Sequence, residues 1–263
     1  MADRVKNKVI LITGAASGLG AATAKRLAEE NAIVIVTARN ENLGNKITEE
    51  IKQQNLHAHF MLLDVTNEEN WITVMTNIEQ QFGQLDVLIN NAAMGFVGPV
   101  TTFSLADWRR MMAVNLDGTF LGTKHAIPLM AKSGGGSIIN ISSIDGLNGV
   151  PEGSAYGASK GGVCAFTRAV AIECAQAQNN IRVNALCPGS FHSPMVEKDE
   201  EWKVLVAESG GLENAKKIRA SAIPLRRLAT FNELTSGILF LASDESSYML
   251  GTELIIDGGI TAQ

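Results

Sequence analysis

The sequence is poor in the features that mark disulfide-rich, secreted or membrane proteins. Its three cysteines, Cys164, Cys174 and Cys187, are an odd number without C-x-x-C spacing, which favours buried free thiols in a reducing compartment. It has no long uncharged apolar run, so no membrane-spanning helix is expected. Its first residues lack the apolar stretch and small-residue cleavage site of a signal peptide. These absences predict a cytoplasmic protein without a membrane partner.

An excess of basic residues is also missing. The chain has 22 lysines and arginines against 27 aspartates and glutamates, a formal net charge of −5. Without a basic surface to neutralise a phosphate backbone, nucleic acid is not an expected partner, and no residues are assigned as metal ligands. The 263 residues are 46% hydrophobic and 19% charged, without a Pro-rich linker or repeat. This composition predicts one globular domain over residues 1–263.

Short apolar, β-branched runs alternate with longer helix-like segments. The runs are apolar throughout rather than at every second residue, which predicts strands buried on both faces of a parallel sheet. The predicted fold is a doubly wound, Rossmann-type α/β sheet of about seven parallel strands with helices on both faces. The predicted strands are residues 9–12, 33–36, 60–63, 87–89, 137–141, 181–186 and 253–256.

In a doubly wound fold the ligand site lies beyond the carboxyl ends of the strands, so residues that follow strands are the candidates. Only the acidic segment 192–223 departs from the strand and helix alternation, and we predict that it is a substrate lid. Met94, Met195, Leu205 and Leu212 could line the substrate site, but for most of them we expect a place in the core.

A glycine-rich turn, T-G-A-A-S-G-L-G at residues 13–20, follows the first strand and runs into a helical pattern. Gly14, Gly18 and Gly20 stand where a Cβ atom would obstruct a tight turn and the approach of a pyrophosphate to a helix N-terminus. The spacing is G-x-x-x-G-x-G rather than the common G-x-G-x-x-G. Taken alone, the motif could also be a glycine-rich turn without a ligand.

Arg39 follows the second strand, where an acidic side chain would bind the ribose 2′-hydroxyl of NAD(H). A guanidinium at this position can hold a 2′-phosphate. We therefore predict that NADP(H) is favoured over NAD(H). The alternative is a solvated surface arginine.

The strongest chemical signal is the pair Tyr156 and Lys160 in Y-G-A-S-K, which follows Ser143 at the end of a strand. Four residues apart in a helix, the phenol and the ammonium lie on one face. A neighbouring cation favours phenolate, so we expect Lys160 to lower the pKa of Tyr156 from about 10 towards the working pH. Ser143 could donate a hydrogen bond to a carbonyl oxygen that becomes alkoxide.

Along essentially its whole length, the chain resembles the short-chain dehydrogenase/reductase family. The glycine turn is followed, in the family's order, by N-N-A at 90–92, Asn115, Ser143, Y-x-x-x-K at 156–160 and P-G at 188–189. In that family the tyrosine is the general acid/base, the lysine binds the nicotinamide ribose, the serine orients the substrate and an asparagine supports a proton-relay water. The resemblance assigns these roles to Tyr156, Lys160, Ser143 and Asn115.

The resemblance also implies a set of cofactor contacts. Asp64 and Val65 look like the adenine contacts, Asn91 like the residue beside the adenosine ribose, and Phe191 and Ser193 like the carboxamide contacts. The full expected cofactor set is Gly14, Ser17, Gly18, Leu19, Gly20, Arg39, Asp64, Val65, Asn91, Ala92, Tyr156, Lys160, Pro188, Gly189, Phe191 and Ser193.

Two positions depart from the family's usual residues, and a third bears on the choice of cofactor. Ala93 replaces a glycine and Ser193 a threonine, and because both keep small size or a hydroxyl, we expect function to be retained. Ala38 occupies the position that bears aspartate in NAD-specific relatives, which again favours NADP(H). Singly, the motif residues also have structural explanations: Asn115 could cap or kink its helix, and Asp64 could end a strand.

The resemblance implies an NAD(P)-dependent oxidoreductase that interconverts a secondary alcohol and a ketone. A 3-oxoacyl-thioester reductase of the same family is the alternative, although the acidic lid disfavours a strongly anionic carrier protein. A non-catalytic nucleotide sensor should have lost one of the four catalytic side chains. Relatives are usually homotetramers, so the same assembly is expected. Asp145 and Glu152 are interpreted as solvated loop charges, with contact to substrate as the alternative for one of them.

Overall fold

A parallel seven-stranded sheet forms the centre of the computed structural model, which describes residues 3–263 except for the side chain of Lys198. The first two residues of the predicted domain lie outside this range. The strand order is 3-2-1-4-5-6-7, and it reverses between the first and fourth strands. The strands are β1 (Val9–Ile12), β2 (Ile33–Ala38), β3 (His57–Leu62), β4 (Val87–Asn90), β5 (Gly136–Ile141), β6 (Ile181–Pro188) and β7 (Glu253–Ile256).

Helices cover both faces of the sheet, which confirms the predicted doubly wound fold. Buried residues of the first, second and ninth helices pack on one face, and those of the third, fifth and sixth on the other. The helices are α1 (Gly18–Glu29), α2 (Glu41–Lys52), α3 (Glu68–Phe82), α4 (Leu105–Met112), α5 (Gly118–Lys132), α6 (Ser154–Gln176), α7 (Glu200–Glu208), α8 (Leu212–Ser221) and α9 (Phe231–Ala242).

The central strand shows why continuous apolar runs predicted the fold. Ile10 and Ile12 belong to one hydrophobic core and Val9 and Leu11 to the other, because successive strand side chains point to opposite faces. Full burial of an aliphatic side chain contributes about 1.5–3 kcal/mol. A strand buried on both sides therefore has no position at which a polar residue is favoured.

The edge strand β3 begins three residues earlier than predicted. Its first residues, His57, Ala58 and His59, alternate between exposed and buried, since an edge strand lies partly open to solvent. This alternation hid the start of the strand from a prediction that looked for continuous apolar residues.

Segment 192–223 follows β6 and folds mostly into helix. A short 3₁₀ turn (Val196–Lys198) leads into α7 and α8. Within residues 3–263, no helix is long and apolar enough to cross a membrane. The described side chains also include no group of three or more His, Cys, Asp or Glu that could hold a metal ion.

Candidate active site

Helix α6 carries Tyr156 and Lys160 in its first turns, and the end of β5 lies beside it. The Lys160 Nζ atom is 5.7 Å from the centre of the Tyr156 ring, so the two side chains share one face of the helix as predicted. Ser143 is buried and follows β5, and its hydroxyl lies close enough to the phenol of Tyr156 to lower the pKa of that group. The structure thus brings the three predicted side chains into one cluster.

Lys160 is held in place by the backbone. Its side chain is 2% exposed, and Nζ donates a hydrogen bond to the carbonyl oxygen of Ile141 at 2.8 Å. Burial disfavours the charged amine and lowers the pKa of Lys160 to about 8. The Lys160 backbone is fixed as well, because the Ser142 hydroxyl donates to its carbonyl oxygen at 2.9 Å.

The protein alone raises the pKa of Tyr156, whereas the sequence led us to expect a lower one. Desolvation of the phenol raises the pKa of Tyr156 above its usual range, the nearby Asp145 charge raises it further, and the Ser143 hydroxyl lowers it. Because burial disfavours phenolate, Tyr156 is protonated at neutral pH. Lys160 does not offset these contributions. Burial lowers the pKa of its own amine to about 8, so the amine loses its charge before the phenol of Tyr156 can ionise.

Asn115 lies in a π-helical turn, Ala113–Asp117, between α4 and α5. Its side chain is 1% exposed and fully engaged. The Nδ2 atom donates to the Met94 carbonyl and to the Ser159 hydroxyl, and Oδ1 accepts from the Met94 N–H, each at 2.9 Å. Single π-helical turns inside α-helices often mark functional sites. Here the turn allows Asn115 to tie the loop after β4 to α6.

The glycine turn packs closely against the loop after β4. A Cβ on Gly14 would lie 2.9 Å from the Ala92 Cα, and one on Gly20 would lie 2.5 Å from the Asn91 Nδ2. Gly14 and Gly18 have φ angles of +63° and +56°, a conformation natural to glycine. Ser17 makes no side-chain hydrogen bond to the N-terminus of α1. The α1 N-terminus is therefore available for an anion.

The loop after β4 is fastened to this turn. Asn91 Nδ2 donates to the Thr13 carbonyl at 2.8 Å, and the Thr13 hydroxyl accepts from the N–H groups of Asn91 and Ala92. Val65 lines a small cavity together with Thr13 and Ala92. One oxygen of the half-buried Asp64 accepts from Thr66. The glycine turn and the ends of β3 and β4 therefore meet at one edge of the sheet.

Arg39 is exposed directly after β2. No ion pair involves its guanidinium among residues 3–263. The preceding Ala38 is buried and carries no charge. The end of β2 is thus positively charged and lacks a carboxylate at the two positions that the sequence singled out.

The P-G motif at residues 188–189 ends β6, and the residues after it extend from the carboxyl edge of the sheet. A Cβ on Gly189 would lie 2.6 Å from the Asp257 Cα, so only glycine fits there. Phe191 packs edge-on against Phe231, with ring centres 5.9 Å apart, and Ser193 is buried. A Cβ on Gly18 would lie 3.5 Å from Pro194, so the segment after β6 reaches over the glycine turn.

The segment 192–223 is anchored by Trp202, which is 5% exposed. The Trp202 ring centre is 5.7 Å from the His192 ring centre. The guanidinium carbon of Arg219, on α8, lies 5.6 Å from the same Trp202 ring centre. Glu201, at the start of α7, lies near Glu152, and burial together with this neighbour raises the pKa of Glu201. The segment therefore contacts the loop between β5 and α6.

The expectation that most of four apolar residues lie in the core is wrong. Met195 and Leu212 are 37% and 40% exposed, and Met94 and Leu205 are half-buried. They belong to the loop after β4 and to the segment 192–223, which lie outside the two cores. A Cβ on Gly95 would meet the Tyr156 ring at 3.3 Å and the Met195 Sδ at 3.5 Å, so this methionine lies beside the cluster.

Asp145 is absent from the set of catalytic and cofactor residues expected from the sequence. Its main interpretation as a solvated loop charge does not fit the structure, because it is half-buried and its charge acts on Tyr156. Burial raises the pKa of Asp145, whereas Arg219 lowers it. The only sequence signal was its place two residues after Ser143, at the carboxyl end of a strand.

Comparisons with known proteins agree with this arrangement. The family model described as short chain dehydrogenase matches residues 8–204. A cyclopentanol dehydrogenase from a Comamonas species is 40% identical over 259 residues, covering 98% of this chain and 99% of the relative. An NADP-dependent (R)-specific alcohol dehydrogenase from Lentilactobacillus kefiri is 35% identical, with all of both chains covered.

A solved structure extends the likeness to the fold. A crystal structure of a Sinorhizobium meliloti protein, provisionally named a short-chain alcohol dehydrogenase, superposes with a TM-score of 0.88. It is 32% identical, and 98% of each chain is covered. The whole described sheet and its helices therefore have a counterpart in a solved structure.

Proposed function

The chain belongs to the short-chain dehydrogenase family of oxidoreductases, and from this premise we propose that it interconverts a secondary alcohol and a ketone with NADP(H). The observation that carries the proposal is the cluster of Ser143, Tyr156 and Lys160, together with a glycine turn that leads into a helix N-terminus without a side-chain cap. A hydroxyl, a phenol and a buried amine at one point are the groups that proton transfer to a carbonyl oxygen requires.

The proposed cofactor site runs along the edge where the strands end. The glycine turn and Asn91 would hold the pyrophosphate and the adenosine ribose, Asp64 and Val65 the adenine, and Lys160 the nicotinamide ribose. Pro188, Gly189, Phe191 and Ser193 would line the nicotinamide end, near Tyr156. A bound nicotinamide supplies or accepts the hydride.

Tyr156 acts as the acid when a ketone is reduced. Its raised pKa keeps the phenol protonated at neutral pH, so a proton is available for the carbonyl oxygen. The Ser143 hydroxyl can donate a hydrogen bond to the same oxygen and stabilise the negative charge that develops on it. In alcohol oxidation Tyr156 must first lose its proton, and Lys160 favours the phenolate once its amine is charged.

The preference for NADP(H) rests on the end of β2. Arg39 is exposed and can reach a 2′-phosphate, and Ala38 offers no carboxylate to repel it. The Lentilactobacillus relative is named as NADP-dependent, which supports the same choice.

Secondary alcohols and ketones, cyclic ones above all, are the proposed substrates. The exposed Met195 and half-buried Met94 give the cluster apolar surroundings, and the Comamonas relative is named for cyclopentanol. Glu197, Glu200 and Glu201 make the nearby segment acidic, which disfavours the acyl carrier protein of a 3-oxoacyl reductase. We propose that segment 192–223 is the lid over this substrate.

The test is Tyr156→Phe, assayed with cyclopentanol and cyclopentanone and both nicotinamide cofactors by absorbance at the nicotinamide band. We expect kcat to fall at least about a hundred-fold, because general acid–base catalysis contributes about 10²–10⁴. NADPH affinity, measured by fluorescence titration, should stay within a few-fold. Retained turnover would refute the role of Tyr156, and no turnover by the unchanged protein with any secondary alcohol would refute the function.

We also propose a cytoplasmic homotetramer. The three cysteines are free and buried, which supports a reducing compartment. On α6, Val163 and Val170 are buried within the chain, but Ile172 is 56% exposed, and Phe166 packs against the 46% exposed Phe120 of α5. This apolar surface on α5 and α6 is available to a second copy. Light scattering on a sizing column tests the assembly, and a monomer would contradict it.

A further inference from the structure

Asp145 lies at the point where the catalytic loop meets the catalytic helix. It sits in a 3₁₀ turn, Ile144–Gly146, and its N–H donates to the Ser143 hydroxyl at 3.1 Å. Its carbonyl oxygen lies only 2.9 Å from where a Cβ on Gly157 would be. The residue is therefore packed against α6 directly beside Tyr156.

The carboxylate of Asp145 has no partner of its own. It is half-buried, yet in the described part of the chain no hydrogen bond or ion pair involves its side-chain oxygens. Its charge acts on Tyr156, and the Arg219 charge on α8 acts on it. With its backbone packed against Gly157, the residue lies beside the catalytic tyrosine and within electrostatic range of the lid helix α8.

An unpaired carboxylate in this position matters when a substrate arrives. In an open pocket, solvent can satisfy its oxygens. A bound substrate displaces that solvent, and a carboxylate left without a donor destabilises the complex. A substrate that brings its own hydrogen-bond donor avoids this penalty, and a site built for such a donor strongly rejects analogues that lack it.

Resting on the proposed function, we propose that Asp145 determines specificity by accepting a hydrogen bond from a second hydroxyl group of the substrate. The preferred substrates are then cyclic diols, and the corresponding hydroxyketones, rather than cyclic alcohols with one oxygen. The group that would compete for Asp145 is Arg219, the cation opposite it on α8. Arg219 also lies over the ring of Trp202, and its charge acts on Glu201. It therefore interacts with three groups and is not committed to Asp145 alone.

The experiment compares kcat/KM for cyclohexanol with that for the cis and trans cyclohexane-1,2-, 1,3- and 1,4-diols, using NADP⁺. We expect at least one diol to exceed cyclohexanol by about ten- to a hundred-fold, the usual strength of a hydrogen bond to a charged group. The monomethyl ether of that diol keeps the oxygen but cannot donate from it, so it should lose the advantage.

Asp145→Asn and Asp145→Ala should reduce the preference for the diol to within about three-fold of cyclohexanol. The readout is the ratio of kcat/KM for the diol to kcat/KM for cyclohexanol. Any effect of Asp145 on the Tyr156 pKa applies to both substrates and cancels in this ratio. Asn preserves the shape of the side chain, and thermal unfolding and NADPH binding show that each variant is folded. Glu69→Gln removes an exposed carboxylate from α3, outside the site, and should leave the ratio unchanged.

Several outcomes would overturn the inference. Turnover of cyclohexanol without a preferred diol, or a preference that survives in Asp145→Ala, removes the proposed role and leaves the dehydrogenase function intact. If Asp145→Asn and Arg219→Gln change all substrates equally, Asp145 only fastens the lid. Absence of turnover with every alcohol instead refutes the proposed function on which the inference rests.

Discussion

Replacing Lys160 with methionine should remove activity and at the same time stabilise the folded protein at neutral pH. The amine is 2% exposed, and burial lowers its pKa from the usual 10.5 to about 8. Each pKa unit corresponds to about 1.4 kcal/mol, so keeping the ammonium charged in the folded state costs about 3 kcal/mol. Methionine fills a similar volume without this cost.

One stabilising contact is lost in the exchange. Lys160 Nζ donates to the Ile141 carbonyl at 2.8 Å, and leaving a buried carbonyl unpaired costs about 1–3 kcal/mol. The net gain at pH 7 is then about 1 kcal/mol, which for a domain of this size raises Tm by about 2–4 °C. Activity should fall because the amine that is proposed to hold the nicotinamide ribose is gone.

The pH dependence separates this explanation from simple changes in packing. Since the pKa of Lys160 is lower in the folded than in the unfolded state, the unfolded chain holds more protons between about pH 8 and the unfolded value of about 10.4. The stability of the unchanged protein therefore rises across this window as the charge cost disappears. The methionine variant lacks this rise, so its advantage at pH 7 should become a deficit near pH 10.5.

The assay is thermal unfolding of the cofactor-free protein between pH 6.5 and 10.5, with kcat measured on the same samples. Lys46→Met, at an exposed position on α2, controls for the general effect of removing a lysine and should shift Tm by less than about 1 °C. A Lys160→Met variant that is less stable by the same amount at pH 7 and 10.5 would refute the argument that burial of the charge is costly.

Three further changes probe separate parts of the site. Arg39→Asp should lower the ratio of NADP⁺ to NAD⁺ kcat/KM by at least about ten-fold, since a carboxylate replaces the proposed phosphate ligand; an unchanged ratio would contradict that assignment. In Gly20→Ala the new methyl group would lie 2.5 Å from neighbouring polar atoms. NADPH affinity, measured by fluorescence titration, should therefore fall at least ten-fold, which corresponds to about 1.4 kcal/mol. Gly149 has open space around it, so the control Gly149→Ala should leave this affinity unchanged. In Asp145→Asn the charge that raises the Tyr156 pKa disappears, so the pH profile of alcohol oxidation should move to lower pH, and a profile that stays in place would show that the charge does not reach the phenol.

Local patterns made the sheet and the cluster on α6 predictable. Strands buried on both faces are mostly apolar, so β1 and residues 87–89 of β4 are visible in the sequence, although β4 ends on the buried polar Asn90. Tyr156 and Lys160 are four residues apart, and the helix alone brings them together. The start of β3 escaped prediction because His57 and His59 are exposed at the sheet edge, where packing no longer imposes apolar residues.

The parts of the site that depend on tertiary packing were not predictable in this way. The position of Asp145 depends on the packing of a 3₁₀ turn against Gly157, and its half-buried state cannot be read from neighbours in the sequence. The direction of the Tyr156 pKa shift was also missed, because the proximity of a lysine is visible in the sequence whereas the burial of both groups is not.

The energetic cost of this site is concentrated between the end of β5 and the first turns of α6. Within that stretch the chain buries an amine, holds a phenol against ionisation and leaves the carboxylate of Asp145 without a partner among the described residues. None of these features stabilises the fold, and the two apolar cores on either side of the sheet must compensate for them. Departures from local stability rules are expected where function requires them. We propose such a requirement for Lys160 and Tyr156 in proton transfer, and by the same reasoning we propose that the carboxylate of Asp145 pairs with a hydrogen-bond donor of the substrate.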